Sequence, residues 1–150
     1  IEYSTHATVL LLPDGNVVYA NPFTQQVLGY AIKEFESMNT LYLIHPGDLL
    51  TLKPSFANLL ERPGDFIPLI LRVQHKNGTW RWIEGTIRNC LHVPAICALI
   101  ATFQDITVKK QNEEHLKQSE ERYRIIFEQA SDGIYVARRA IVQKYLGSCS

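Results

Sequence analysis

Histidines, cysteines and acids are the groups in this chain with chemistry to offer, and their spacing decides what they can do. His6, His45, His75, His92 and His115 are dispersed, with no pair at helical or hairpin ligand spacing, so none marks a metal site. Cys90, Cys97 and Cys149 are odd in number and lack metal-site spacing, which fits reduced cytoplasmic thiols. Cys90 and Cys97 read as strand residues filling space. A serine nucleophile would need a tight Gly-x-Ser-x-Gly elbow, and none occurs; Gly147-Ser148-Cys149 is a tail remnant. Gly15, Gly47, Gly64, Gly78 and Gly133 sit in two-residue turn signals, not in a phosphate cradle. A general base would be Glu84 or Asp48, and that chemistry requires a buried carboxylate facing a pocket with a raised pKa. Strand alternation puts Glu84 on the wrong face. The most informative residues are Asp105-Ile106-Thr107, where an acid and a hydroxyl stand between an apolar strand and a charged helix and can accept from that helix's unpaired first amides.

A chain of 150 residues that are 46% hydrophobic supplies one globular core and an extension. Fifteen basic residues balance fifteen acidic ones, and no basic patch stands out, which argues against a nucleic-acid partner. The longest apolar run, Val93 to Ala101, is broken by Pro94 and falls short of the roughly 20 residues of a spanning helix. No signal-peptide pattern follows Ile1, so any membrane anchor is expected outside this segment and the segment itself makes no membrane contact.

Thr8 to Leu12 and Asn16 to Ala20 flank Pro13-Asp14-Gly15, a hairpin signal. Asn21-Pro22 opens a short helix carrying Phe23, Val27 and Leu28 that ends at Gly29, with Asn21 as the expected cap. Tyr30 to Met38 repeats the helical pattern. His45-Pro46-Gly47-Asp48 starts a longer helix through Leu60, which Pro54 is expected to bend or split. Ile67 to His75 and Thr79 to Leu91 flank Asn77-Gly78, the second hairpin, and Cys97 to Phe103 forms the last strand. From Val108 the composition turns charged, with a weak heptad seam at Leu116, Tyr123 and Ala130; a solvated helix and a dimerising coiled coil fit this spacing equally.

Alternation places Ile67, Leu69, Leu71, Val73, Ile83, Gly85, Ile87, Leu99, Ala101 and Phe103 on one sheet face. The candidate pocket between that face and the helices comprises Leu28, Leu50, Phe56, Leu69, Leu71, Val73, Ile83, Gly85, Ile87, Ala101 and Phe103. A core filled by these side chains is favoured over a cavity, since apolar lining without convergent polar groups is weak evidence for a site. Gly85 is expected to leave room for a ligand or a close-packed helix. Trp82, Glu84 and Thr86 fall on the opposite face, where Trp82 needs a flanking helix or second protomer, or else a stack on Arg88 or Arg72.

The order of these elements resembles a PAS domain of bacterial sensor histidine kinases or similar signalling proteins. The resemblance covers roughly residues 1 to 110. It rests on Tyr19-Ala20-Asn21, Leu28-Gly29-Tyr30, His45-Pro46 with Asp48, Asn77-Gly78 before Trp80-Arg81-Trp82-Ile83-Glu84, and Asn89 with Leu91 and Pro94 ahead of Asp105-Ile106-Thr107. The family often has glycines at the positions of Cys97 and Ala98, and a basic residue where Gln104 stands here, so a salt bridge from that position is absent. The resemblance implies an α+β fold, a PAS-like five-stranded antiparallel sheet with short helices on one face and a C-terminal connector helix. Residues 1–107 would be the sensory domain and 108–129 the connector, a candidate coiled coil. Residues 130–150 would be the truncated start of a second unit and a tail that is poorly ordered or helical, since Glu128 to Val136 aligns in kind with Glu2 to Leu10.

It further implies a cytoplasmic module, not itself an enzyme. Such a module binds a small apolar ligand or a partner and relays strain through Asp105, Ile106 and Thr107 to an output domain such as a histidine kinase. A homodimer would form through Trp82 and Glu84 on the sheet face or Leu116 and Tyr123 on the helix. Haem-binding relatives use a helix histidine, but His45 before Pro46 reads as a helix-start residue, so no cofactor is expected. Tyr30-Ala31-Ile32-Lys33-Glu34-Phe35 has no cysteine, which excludes covalent flavin photochemistry. The alternative is a small α+β enzyme or ligand carrier with an apolar pocket.

Overall fold

The computed structural model describes residues 6–145, with side chains to residue 129. Glu2 of the repeat, Ala130 of the seam as a side chain, and Gly147-Ser148-Cys149 lie outside the described residues. Two hairpins build the sheet. The first joins β1 (Ala7–Leu11) to β2 (Val17–Ala20), and the second joins β3 (Phe66–Gln74) to β4 (Trp80–Cys90). Both close through a left-handed glycine, Gly15 at φ +92° and Gly78 at φ +90°, the conformation that makes Asp-Gly and Asn-Gly hairpin signals. β5 (Ala98–Asp105) pairs with β1 on one side and β4 on the other, giving an antiparallel sheet in the order β2-β1-β5-β4-β3.

The helices α1 (Phe23–Leu28), α2 (Ile32–Phe35) and α3 (Pro46–Leu60) lie between the hairpins in sequence. Their buried residues Leu28, Phe35 and Leu59 join Val9, Leu71, Ile83 and Leu99 of the sheet in one core. Pro54 does not split α3, which runs unbroken across it. The missing proline amide would have served the carbonyl of Leu50, and Leu50 stands on the exposed side of the helix, where solvent can serve it instead. The open edge of β3 is covered by the chain entering α3: Gln74 N donates to Leu43 O at 2.8 Å and His45 N donates to Arg72 O at 2.9 Å.

Two local expectations change. Cys97 is not a strand residue but an exposed loop position with φ +51°, a conformation glycine adopts without strain. Asn21 does not cap an α1 amide; its Oδ1 accepts from Thr8 N at 3.0 Å and from the Thr24 hydroxyl at 2.8 Å, while its Nδ2 donates to His6 O. It thereby ties α1 to β1. Residues 128–136 are helical, inside α4 (Thr107–Tyr145), where the described part of the matching stretch, from Ala7 on, lies in β1. A strand needs a neighbour for its main chain, whereas a helix satisfies it internally.

Gly85 is a further correction. It pairs with Phe103 on β5 and Leu69 on β3, and a Cβ there would lie 1.8 Å from Thr102 O and 2.6 Å from Phe103 Cα. The missing side chain makes room for the neighbouring strand's backbone, not for a ligand or a helix. Gly85→Ala is expected to lower stability by about 2 kcal/mol or more, because main chain cannot step aside as a side chain can. Urea unfolding measures this, and a loss below about 0.5 kcal/mol would contradict the close approach.

Candidate functional site

An apolar cavity of about 70 Å³ lies between the sheet's inner face and the helices. Leu28, Phe56, Leu69, Leu71, Val73, Ile83, Ile87, Ala101 and Phe103 all line it, joined by Val9, Leu43, Ile44 and Leu52, which were not singled out from the sequence. Leu50 does not: it is 72% exposed, because about 200° of helical rotation separates it from Leu52. Gly85 is also outside the lining, for the reason above. The volume is well below the roughly 300 Å³ at which drug-sized pockets begin, so side chains fill most of the space. Anything beyond a few heavy atoms requires the wall to move.

Part of that wall hangs on one ion pair. Asp48, in the first turn of α3, accepts three hydrogen bonds from Arg72 on β3: from the backbone amide at 2.7 Å, Nε at 2.9 Å and Nη2 at 2.9 Å. A two-pronged, partly buried pair of this kind contributes about 1–2 kcal/mol, more than an exposed one. The bond from the Arg72 side chain holds the Asp48 carboxyl below its ordinary range; burial opposes this, and the Arg72 amide and the nearby positive charge reinforce it. The Arg72 guanidinium is in turn raised by Asp48. A general base needs the opposite shift, so Asp48 does not suit that role. Beside the pair, His45 Nδ1 accepts from Gly47 N at 3.1 Å, capping α3, and its ring sits edge-on to Trp80 with centroids 4.8 Å apart. His45 is a helix-start residue and is not among the cavity's lining residues.

On the outer face Trp82 is half-buried and Arg72 stacks on it, with the guanidinium carbon 5.1 Å from the ring centroid. Arg88 takes the equivalent place over Phe66 at 4.8 Å. Glu84 pairs in register with Ile70 and Gln104 on that outer face, away from the cavity.

The junction of sheet and helix is built from side chain and main chain together. Ile106 N donates to Trp82 O at 2.8 Å, and Trp82 N donates to the Thr107 hydroxyl oxygen at 2.9 Å. These two bonds continue the β4–β5 ladder past the end of β5. The Thr107 hydroxyl proton goes to Asp105 Oδ1 at 2.5 Å, and the same oxygen accepts from Thr107 N at 2.8 Å, so Asp105 serves the first residue of α4. Ile106 and Thr107 are only 5% and 6% exposed. Asp105 finds its basic partner in Arg81, whose Nη1 lies 3.8 Å from Asp105 Oδ2. Leu116 and Tyr123 of α4 are exposed, as are Ile125, Ile126 and Phe127.

Sequence reasoning underrated Asn89. It is buried in line with the inward residues of β4, donates through Nδ2 to Leu59 O at 2.9 Å and accepts from Leu91 N at 3.0 Å. It joins Arg62 N, which donates to the same carbonyl at 3.0 Å, in closing the end of α3. A polar residue at an inward strand position was the available signal. Among the described residues no cluster of histidine, cysteine and acid could hold a metal ion, and no helix is long and apolar enough to cross a membrane.

These features define a class, and comparison with known proteins agrees. The family model described as PAS fold matches residues 17–92, half of the chain, and the chain belongs to that family. It is 26% identical over 139 residues to the sensor histidine kinase TmoS of Ectopseudomonas mendocina, an overlap of 91% of this chain but 14% of that protein. A sensory box histidine kinase/response regulator from Burkholderia thailandensis E264 superposes with a TM-score of 0.62 at 24% identity, over 80% of this chain and 91% of that one. The PAS domain of the RpfR quorum-sensing receptor of Cronobacter turicensis, in complex with BDSF, gives 0.57 at 18% identity, over 71% of this chain and 99% of that one. The two structures share its fold. The chain is a PAS sensory domain of the kind found in signal-transducing proteins.

The Asp48–Arg72 pair gives a pH dependence with a definite sign. Because the folded-state pKa of Asp48 is lowered, its contribution is fully present above the unfolded value of about 4 and is lost as pH falls through the folded value. Urea unfolding from about pH 6 to pH 3 should show the Asp48→Asn variant less stable than wild type at the upper end, with the gap closing toward the lower. A gap constant with pH would contradict the ion pair.

Proposed function

We propose that this domain is the input module of a longer signalling protein, in which occupancy of the cavity by a small apolar ligand, or of the sheet by a partner, biases α4. The signal then passes to an output domain such as a histidine kinase. One observation carries the reading: β4 and β5, which line the cavity through Ile83, Ile87, Ala101 and Phe103, also hold the first turn of α4 through Trp82, Ile106 and Thr107. A ligand that spreads the two strands acts directly on that turn. The response is a population shift, bounded by the ligand's differential affinity for the two arrangements.

The chain spans 14% of the kinase relative, which leaves room there for an output domain beyond the matched stretch. A second copy pairing through Leu116 and Tyr123, or across Trp82 and Glu84, would make α4 a shared lever. The exposed apolar residues of α4 support the first arrangement. We place the segment in the cytoplasm and assign it no chromophore; His45 Nδ1 caps α3.

Xenon is a suitable probe of a small apolar cavity. Under xenon pressure, backbone amide resonances of Ile83, Ala101 and Phe103 should shift, and those of Trp82 and Thr107 should shift with them. Ala101→Val, which fills the space with two methyl groups, should abolish both sets without loss of stability. Silence at the cavity residues would remove the ligand reading, and shifts confined to the cavity would remove the relay.

A further inference from the structure

We infer that Arg72 is a positioning residue that couples α3 to the start of α4 across the sheet. The inference deepens the relay reading above and rests on it. Arg72 belongs to β3 and is gripped on one side by α3, through the three hydrogen bonds to Asp48 and the bond from His45 N to its carbonyl. On the other side its guanidinium stacks on Trp82, the residue directly opposite on β4. Trp82 is the residue whose amide and carbonyl hold Thr107 Oγ1 and Ile106 N. Asp48, Arg72, Trp82 and Thr107 thus form a contiguous line from the helix that walls the cavity to the helix that leaves the domain.

The side-chain chemistry suits this position. Leu52 and Phe56 of α3 line the cavity with Ile44 just ahead of the helix, so a ligand that displaces this wall carries Asp48 with it. A guanidinium can meet a carboxylate with two parallel donors while presenting its flat face to an indole; an ammonium cannot do both. The fork between Arg72 and Asp48 is either made or broken, which supplies the two discrete arrangements that coupling over a distance requires. Moving α3 outward breaks the fork, frees the guanidinium and alters the packing on the Trp82 ring. The strain therefore arrives at the junction from the outer face, independently of strands β4 and β5 spreading from within.

Hydrogen exchange read residue by residue tests this. Asp48→Asn keeps an acceptor for the Arg72 amide but loses the fork, and Arg72→Lys keeps the charge but loses both fork and stack. Each variant should speed exchange at the amides of Trp82, Ile106 and Gln111 by about fivefold or more, with Val9 and Leu99 at wild-type rates. The double variant should go no further than Arg72→Lys alone. If Asp48→Asn unfolds the domain, Arg72→Lys carries the test. Faster exchange confined to α3 and β3, additive effects in the double variant, or an equal rise at Val9 and Leu99 would each overturn the assignment. If xenon shifts none of the cavity resonances while Asp48→Asn still loosens Gln111, the ligand reading fails and the coupling through Arg72 stands.

Discussion

The bond from Trp82 N to the hydroxyl of Thr107 is the constraint on which the account turns. A strand that ends leaves its neighbour with an unpaired amide and carbonyl, and a helix that begins leaves its own first amides unpaired. Here the two deficits are placed against each other. Ile106 N and Thr107 Oγ1 complete Trp82, and Asp105 Oδ1 completes Thr107. The last rung of the sheet is also the first turn of the helix, so α4 cannot shift at its origin without disturbing β4.

Around that rung the sheet and helix α3 are held in different ways. Strands β3, β4, β5 and β1 share a register that puts Leu69, Ile87, Ala101 and Val9 on one buried face, and Gly85 lets β4 and β5 approach closely at mid-sheet. Helix α3 is anchored differently. Its N-terminus is held by His45 and the Asp48–Arg72 pair, and its C-terminus by Asn89, with Leu52 and Phe56 over the cavity between. With polar pins at both ends and apolar contact along the middle, displacing this wall requires a pin to break.

Much of this was legible in the sequence. Asp14-Gly15 and Asn77-Gly78 located both hairpins, alternation assigned the inward residues of β3, β4 and β5, and Asp105-Ile106-Thr107 marked the junction. The misreadings have physical causes. Leu50 was grouped with Phe56 by hydrophobicity alone, when the helical repeat places it on the outside. Gly85 answers to a backbone on another strand, a closeness that no local pattern encodes. Asn21 has the sequence of a cap, yet its side chain is drawn to β1, which folds back beside it. Arg72 was one of two arginines offered as a stack for Trp82, and strand pairing chose it over Arg88; Arg81 as the partner of Asp105, and Arg72 as the partner of Asp48, could not be named before the register was known.

The most direct measurement of the central claim is hydrogen exchange in Thr107→Val, which keeps the shape of the side chain and removes only the hydroxyl. Exchange at the Trp82 and Gln111 amides should quicken by about tenfold, the order expected from losing a hydrogen bond of about 1 kcal/mol and the helix start it holds, while Leu99 and Ala101 keep their protection. Unchanged exchange at Gln111, or loss of protection throughout the core, would show that the junction does not join sheet and helix in the way described.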